Sequence, residues 1–216
     1  NFNAGALPAK FAKCTVEKFE DRGGTLSEVQ TNLLRYQKVY SPGSGGRLLW
    51  GRPGTGKTHL VCGVLRHIAL EKGFTVRFVD FYHLLSLLRA AYQGEKGGED
   101  IMESLVRVDV LAIDELGNYP MKDWELGIFD QLISRRYNAG RSLLLATNLV
   151  ATHDVSEPGD RRLVDMIQER IYSRLVEMCD FLHVSAPDYR PIKVGAAPAQ
   201  SAPVRLGRRT RGGDPG

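Results

Sequence analysis

Residues suited to handling a phosphorylated ligand occur in three places along the chain. The first is Gly51-Arg52-Pro53-Gly54-Thr55-Gly56-Lys57-Thr58, followed by His59, which matches G-x-x-x-x-G-K-[ST] in full. Its glycines let successive backbone N–H groups turn inward around a polyphosphate. The Lys57 ammonium can reach β- and γ-phosphoryl oxygens, and the Thr58 hydroxyl can hold Mg²⁺. The second place is Asp114-Glu115, two acids closing the apolar run that begins at Val108. A carboxylate leaving a strand beside a phosphate loop suits direct or water-mediated Mg²⁺ coordination, so Asp114 takes that role. Glu115, one residue on, can orient or deprotonate an attacking water. The third is Asn148, after Ala146-Thr147, whose neutral amide can hydrogen-bond a lytic water or a γ-phosphate without adding repulsive charge. Thr-Asn after a strand is also ordinary turn chemistry.

The pattern predicts a nucleoside triphosphate ligand with Mg²⁺, ATP rather than GTP, because no Asn/Thr-Lys-x-Asp guanine motif occurs. The second acid speaks for hydrolysis over transfer to a small acceptor. A further pair, Arg170 and Arg174, stands one turn apart in Glu-Arg-Ile-Tyr-Ser-Arg-Leu. Two readings stand side by side. Either a guanidinium reaches the γ-phosphate of a neighbouring subunit, or both form surface pairs with Glu169 and Glu177, worth roughly a few tenths of a kcal/mol.

Positioning these groups calls for alternating elements. Apolar strand candidates recur at 47–50, 74–79, 108–113, 142–147 and 181–185, with helical stretches at about 25–40, 58–71, 81–92, 99–106, 124–138 and 161–178. Such alternation predicts an α/β/α three-layer fold around a five-stranded parallel sheet. The expected organisation is an approach segment and helix over 1–46, a nucleotide-binding core over 47–190, and a basic tail over 191–216.

Composition narrows the class. No run approaches the ~18 apolar residues of a membrane span, and no signal-peptide pattern opens the chain, which starts without Met and reads as trimmed or processed. Cys14, Cys62 and Cys179 lack metal-ligand spacing and read as reduced thiols of a cytoplasmic protein. The net charge is +4, and from Pro191 onward five basic residues face one acid, leaving 24 of each sign in residues 1–190. The folded part is neutral, so nucleic-acid contact there needs local patches. The tail is either a solvated disordered end or a non-specific phosphate contact.

Taken with their order and spacing, Gly-Arg-Pro-Gly-Thr-Gly-Lys-Thr-His-Leu, Val-Asp-Val-Leu-Ala-Ile-Asp-Glu-Leu-Gly, Leu-Leu-Ala-Thr-Asn-Leu and Arg-Ile-Tyr-Ser-Arg-Leu resemble the AAA+ ATPase domain of bacterial replicative-helicase loaders and the related transposition helper ATPases. The resemblance runs from about Leu7 to Arg190. It implies that Lys57 and Thr58 are Walker A residues, Asp114 and Glu115 the Walker B pair, Asn148 sensor 1, Arg174 a trans arginine finger, and Arg190 the second sensor arginine. It implies ATP hydrolysis with Mg²⁺ in a homo-oligomer, ring or open helix, that loads a replicative helicase onto single-stranded DNA. Two alternatives remain, a helper that assembles on duplex DNA and directs a transposase, and an ATP-gated scaffold without significant turnover. The family's extra helical element maps to about residues 80–106, where Arg89, Tyr92 and Lys96 could contact single-stranded DNA. Tyr92 reads equally as a core aromatic. Two departures are expected: 46 residues before Arg47 are too few for the family's partner-gripping domain, and little room follows Asp188 for a helical lid.

Overall fold

A computed structural model describes residues 7–92, 98–152 and 160–189. A 3₁₀ turn at Ala9–Phe11 and helix α1 (Leu26–Val39) precede strand β1 (Gly46–Trp50). There follow α2 (Lys57–Leu70), β2 (Val76–Asp80), α3 (Phe81–Tyr92), α4 (Gly98–Arg107), β3 (Val110–Asp114), α5 (Asp123–Asn138), β4 (Ser142–Thr147), α6 (Leu163–Met178) and β5 (Cys179–His183). The strands form one parallel sheet in the order β2-β3-β4-β1-β5.

Side chains on a strand alternate between faces, and here that alternation sorts the core in two. Leu48, Leu111, Ile113, Leu143 and Leu145 face one side, under α3 to α6, packed with Phe81, Phe129 and Leu132. Leu49, Val110, Ala112, Leu144 and Ala146 face the other, with Leu33 of α1 and Leu60, Val64 and Leu65 of α2. Every residue of β3 and β4 is buried, as helices on both faces require. The approach segment joins this second face, with Val16 and Phe19 in the same cluster as α2.

The strand order is what assembles the site. β1 lies beside β4, so Trp50 is level with Thr147, and β3 lies one strand further out. The loop leaving β1 therefore faces the ends of β4 and β3, at the carboxyl edge where open α/β sheets bind ligands.

The sequence-based elements are all present, with shifts at their ends. β2 starts at Val76, β3 ends on Asp114 itself, and β5 covers 179–183. The larger surprise lies in α6, where Gln168 takes φ 66° and ψ 154° and kinks the helix. Gln carries no sequence signal for a positive φ, so nothing in the periodicity predicts the break.

One buried charge locks the far side. Arg136 of α5 is fully buried and donates to the carbonyls of Leu105, Val106, Val108, Asp109 and Ser142, at 2.6 to 3.3 Å. Burial pushes its pKa down to about 9, still above neutrality, so the guanidinium stays charged. It ties the end of α4 and the approach to β3 to the start of β4. All three cysteines are buried and form no disulfide. Among the described residues no helix is long and apolar enough to cross a membrane.

Candidate nucleotide site

The loop between β1 and α2 wraps the start of α2, and no side chain caps that helix. Its first-turn N–H groups and positive dipole end are left for an anion. Gly56, the residue before the helix, has φ 91°, and a Cβ there would collide with the Phe19 ring. Glycine is thus required both for the turn and for that aromatic cover. A cleft of about 360 Å³ opens here, lined among others by Pro53, Gly54, Gly56, Lys57, Thr58, His59, Asp114, Glu115 and Asn148.

Lys57 is 6 % exposed, and its ammonium donates to the carbonyls of Gly51 at 2.7 Å and Arg52 at 2.8 Å. The Thr58 hydroxyl donates to Asp114 Oδ2 at 2.8 Å. Burial pushes the Asp114 carboxyl above its ordinary value, against the Thr58 hydrogen bond, which lowers it. A divalent cation between these two oxygens would offset that desolvation. Hydroxyl, carboxylate and the oxygens of a polyphosphate make a donor set that fits Mg²⁺.

Glu115 is exposed and adopts φ 56°, uncommon for a residue with a Cβ. The turn is held by its neighbours. Leu116 N donates to Ala146 O at 2.9 Å, the buried Thr147 hydroxyl donates to Leu116 O at 2.7 Å, and Leu149 N donates back to that hydroxyl at 3.1 Å. Thr147 thus fixes the Asp114-Glu115 turn and the Asn148 backbone together. Sequence reasoning noticed Thr147 only as part of a turn; its burial beneath two strand ends appears only in three dimensions.

The remaining lining comes from residues outside the phosphate-loop and strand-end motifs. Phe19 packs against His59 and Tyr189, each with ring centroids 4.8 Å away, and Phe11 and Lys10 complete that wall. His59 is held by Cys14 Sγ at 3.2 Å from Nδ1, and burial lowers its pKa, so the imidazole is neutral and supports Phe19. Tyr189 N donates to Gly54 O at 2.9 Å, closing the cleft from the C-terminal side. Gly51, Arg52 and Thr55 line an adjoining cleft with Trp50, Asn148 and His183.

The remaining expected residues divide. Arg174 Nη1 donates to Asp130 Oδ1 at 2.5 Å, and Arg170 Nε lies 3.4 Å from Asp130 Oδ2. The counter-charge is therefore a carboxylate of α5. Glu169 has no ion pair among the described residues, and Glu177 accepts from the Tyr137 hydroxyl instead at 2.6 Å. Arg89, expected at a DNA surface, pairs at 2.5 Å with Glu125, which is 2 % exposed and caps α5 by accepting from Lys122 N at 2.7 Å. That guanidinium thus answers a buried carboxylate while its side chain stays 40 % exposed. Tyr92 ends α3. Lys96 and Arg190 lie outside the described residues, as does the stretch where a helical lid was judged to have little room.

The three-layer fold with its five-stranded parallel sheet is that of the AAA+ P-loop proteins. The chain belongs to the family of IstB-like ATP binding proteins, whose model matches residues 46–194. It is 25 % identical over 167 residues to the replicative helicase loader DnaC of Buchnera aphidicola subsp. Schizaphis graminum, covering 76 % of this chain and 64 % of that protein. The chain thus matches less than two thirds of that relative's length. Among solved structures, the DnaC helicase loader superposes with a TM-score of 0.71 at 22 % identity, over 82 % of this chain and all of that one. DnaI gives 0.70 at 17 % identity, over 83 % and 95 %. At such identities both likenesses speak for the fold.

Proposed function

We propose that this protein is an ATP-hydrolysing loader that places a replicative helicase on single-stranded DNA, working as a ring or open helical homo-oligomer. Residues 47–190 form the ATPase core, and the segment before them covers the nucleotide cleft. The observation that carries the reading is the convergence of Lys57, Thr58, Asp114, Glu115 and Asn148 on one cleft at the sheet edge. The helicase part rests on likeness to a helicase loader of known name.

In this reading Lys57 transfers its N–H donors from the Gly51 and Arg52 carbonyls to phosphate oxygens. Thr58 and Asp114 hold Mg²⁺, which supplies charge neutralisation on the phosphates. The strained Glu115 turn aims its carboxylate into the cleft mouth, where it orients a water and accepts its proton. Asn148 hydrogen-bonds that water or the γ-phosphate. The Phe19–Tyr189 wall takes the base, with Arg190 following directly after it in sequence. Arg174 of a neighbouring subunit completes the site, because a guanidinium stabilises charge developing on the transferred group.

Single-stranded DNA is assigned to the edge of α3. Tyr82 and Tyr119 are both exposed there, with rings 5.1 Å apart, beside the exposed His83 and Lys122, and paired exposed aromatics suit base stacking. The family description, IstB-like, favours a second reading, a transposition helper on duplex DNA.

The test is Glu115→Gln. ATP binding by calorimetry stays at the wild-type level, and phosphate release falls about 100-fold or more, the lower range for a lost general base. Unchanged turnover would remove Glu115 from its role, whereas ATP binding with no phosphate release by the wild type would leave an ATP-gated scaffold. With ATP present, tight binding to duplex and none to single strands would replace the helicase reading with the transposition one.

A further inference from the structure

Arg174 is 23 % exposed and Arg170 is 72 % exposed, and both lean on one carboxylate, Asp130, from the middle of α5. Asp130 is itself only 20 % exposed. Two guanidiniums one turn apart on a helix repel. One carboxylate between them removes most of that repulsion and leaves the cluster with a net positive charge, still attractive to an anion. The hydrogen bond uses Nη1 of Arg174, its only one among the described residues, so the rest of the fork is left to a second acceptor. Both arginines follow the kink at Gln168, so the stretch of α6 that carries them is set by its packing on α5 rather than by the start of its own helix.

We infer that Asp130 is the positioning residue of the arginine finger, holding Arg174 in a single rotamer on the subunit surface before a neighbour's γ-phosphate arrives. An unheld arginine samples many rotamers, and ordering it during the reaction would raise the barrier. Asp130 orders it beforehand, which places its effect in kcat, not in ATP affinity. Sequence spacing does not reveal this, since Asp130 lies 44 residues from Arg174. The inference rests on Arg174 acting in trans.

The experiment measures steady-state ATP hydrolysis at protein concentrations where assembly is complete, for wild type, Asp130→Ala, Asp130→Asn, Asp130→Glu, Arg174→Ala and Asp130→Ala/Arg174→Ala. Asp130→Ala should lower kcat about tenfold with KM unchanged, and Asp130→Asn, which keeps the shape and loses the charge, should fall between it and wild type. Asp130→Glu should recover part of the rate. In the Arg174→Ala background Asp130→Ala should change nothing further, which a merely structural role would not produce. Wild-type kcat in both the Ala and Asn variants, or an equal loss with and without Arg174, overturns the assignment of Asp130 alone. The trans reading is judged separately, by mixing Arg174→Ala with Glu115→Gln protein. Recovered turnover, from sites whose two halves are intact, supports it; none at any ratio in confirmed mixed assemblies overturns that reading and the Asp130 proposal with it.

Discussion

Lys57 and Arg136 are both buried cations donating to main-chain carbonyls, one at the lip of the cleft and the other between α4, α5 and the sheet. Lys57 meets two carbonyls of its own loop, Gly51 and Arg52, which water or a ligand can replace on the open side. Arg136 meets five from three segments, with no exposed face. An ammonium is a compact charge with three rotatable donors and exchanges partners readily, whereas a planar fork is fixed once its acceptors surround it. The same kind of hydrogen bond thus belongs to binding in one place and to folding in the other, and access decides which.

Exchanging each for alanine breaks the comparison if it is wrong, and carries the largest expected effect. Arg136→Ala should cost about 3–5 kcal/mol in urea unfolding, since it strips charge-assisted bonds from enclosed carbonyls. Lys57→Ala should change nucleotide-free stability by less than about 1 kcal/mol. It should also abolish the gain that ATP with Mg²⁺ gives the wild type, about 2.7 kcal/mol at a hundred times Kd. A stable Arg136→Ala protein would show that the five carbonyls find other donors.

A second contrast sharpens the first at half the scale. Arg89 is partly exposed yet answers a buried carboxylate, while Tyr82 and Tyr119 are exposed and pack ring against ring. Arg89→Ala should therefore lose about 1–2 kcal/mol of stability and keep single-stranded DNA binding. Tyr82→Ala/Tyr119→Ala should leave stability within about 0.5 kcal/mol and weaken ATP-dependent binding roughly tenfold or more, at about 1–3 kcal/mol per stacked base. Fluorescence anisotropy across a salt series reads the second effect. Deleting residues 197–216 separates the basic tail. Binding that survives the tyrosine changes and vanishes with the tail would move the DNA contact there.

The smallest effect tests a sign. Burial raises the Asp114 pKa, so the folded protein retains a proton that the unfolded chain releases. Stability without Mg²⁺ should then fall as pH rises from the ordinary aspartate range through that raised value. Asp114→Asn keeps a hydrogen-bond acceptor for Thr58 without the charge. It should raise the melting temperature at neutral pH and flatten the pH dependence in that window, while losing Mg²⁺-dependent turnover. A lower melting temperature would mean that Asp114 stabilises the free protein as an anion.

The residues that bear the proposed chemistry were legible because their roles impose local patterns. A phosphate loop needs glycines and a lysine at fixed offsets, and a strand ending in two acids places both at the sheet edge whatever the rest of the chain does. The sheet itself was legible from five apolar runs between helical ones, because burial on both faces leaves no polar alternation. What the sequence could not contain was which distant groups answer each charge. Glu169 and Glu177 are near Arg174 in sequence, but packing of α5 on α6 presents Asp130 instead. Arg89 reads as a surface cation until α5 brings up Glu125. Phe19 and Tyr189, 170 residues apart, meet only because β5 returns beside β1 and carries the following residues over the phosphate loop. Local patterns follow from the geometry of a few bonds, whereas these partnerships depend on the path of the whole chain.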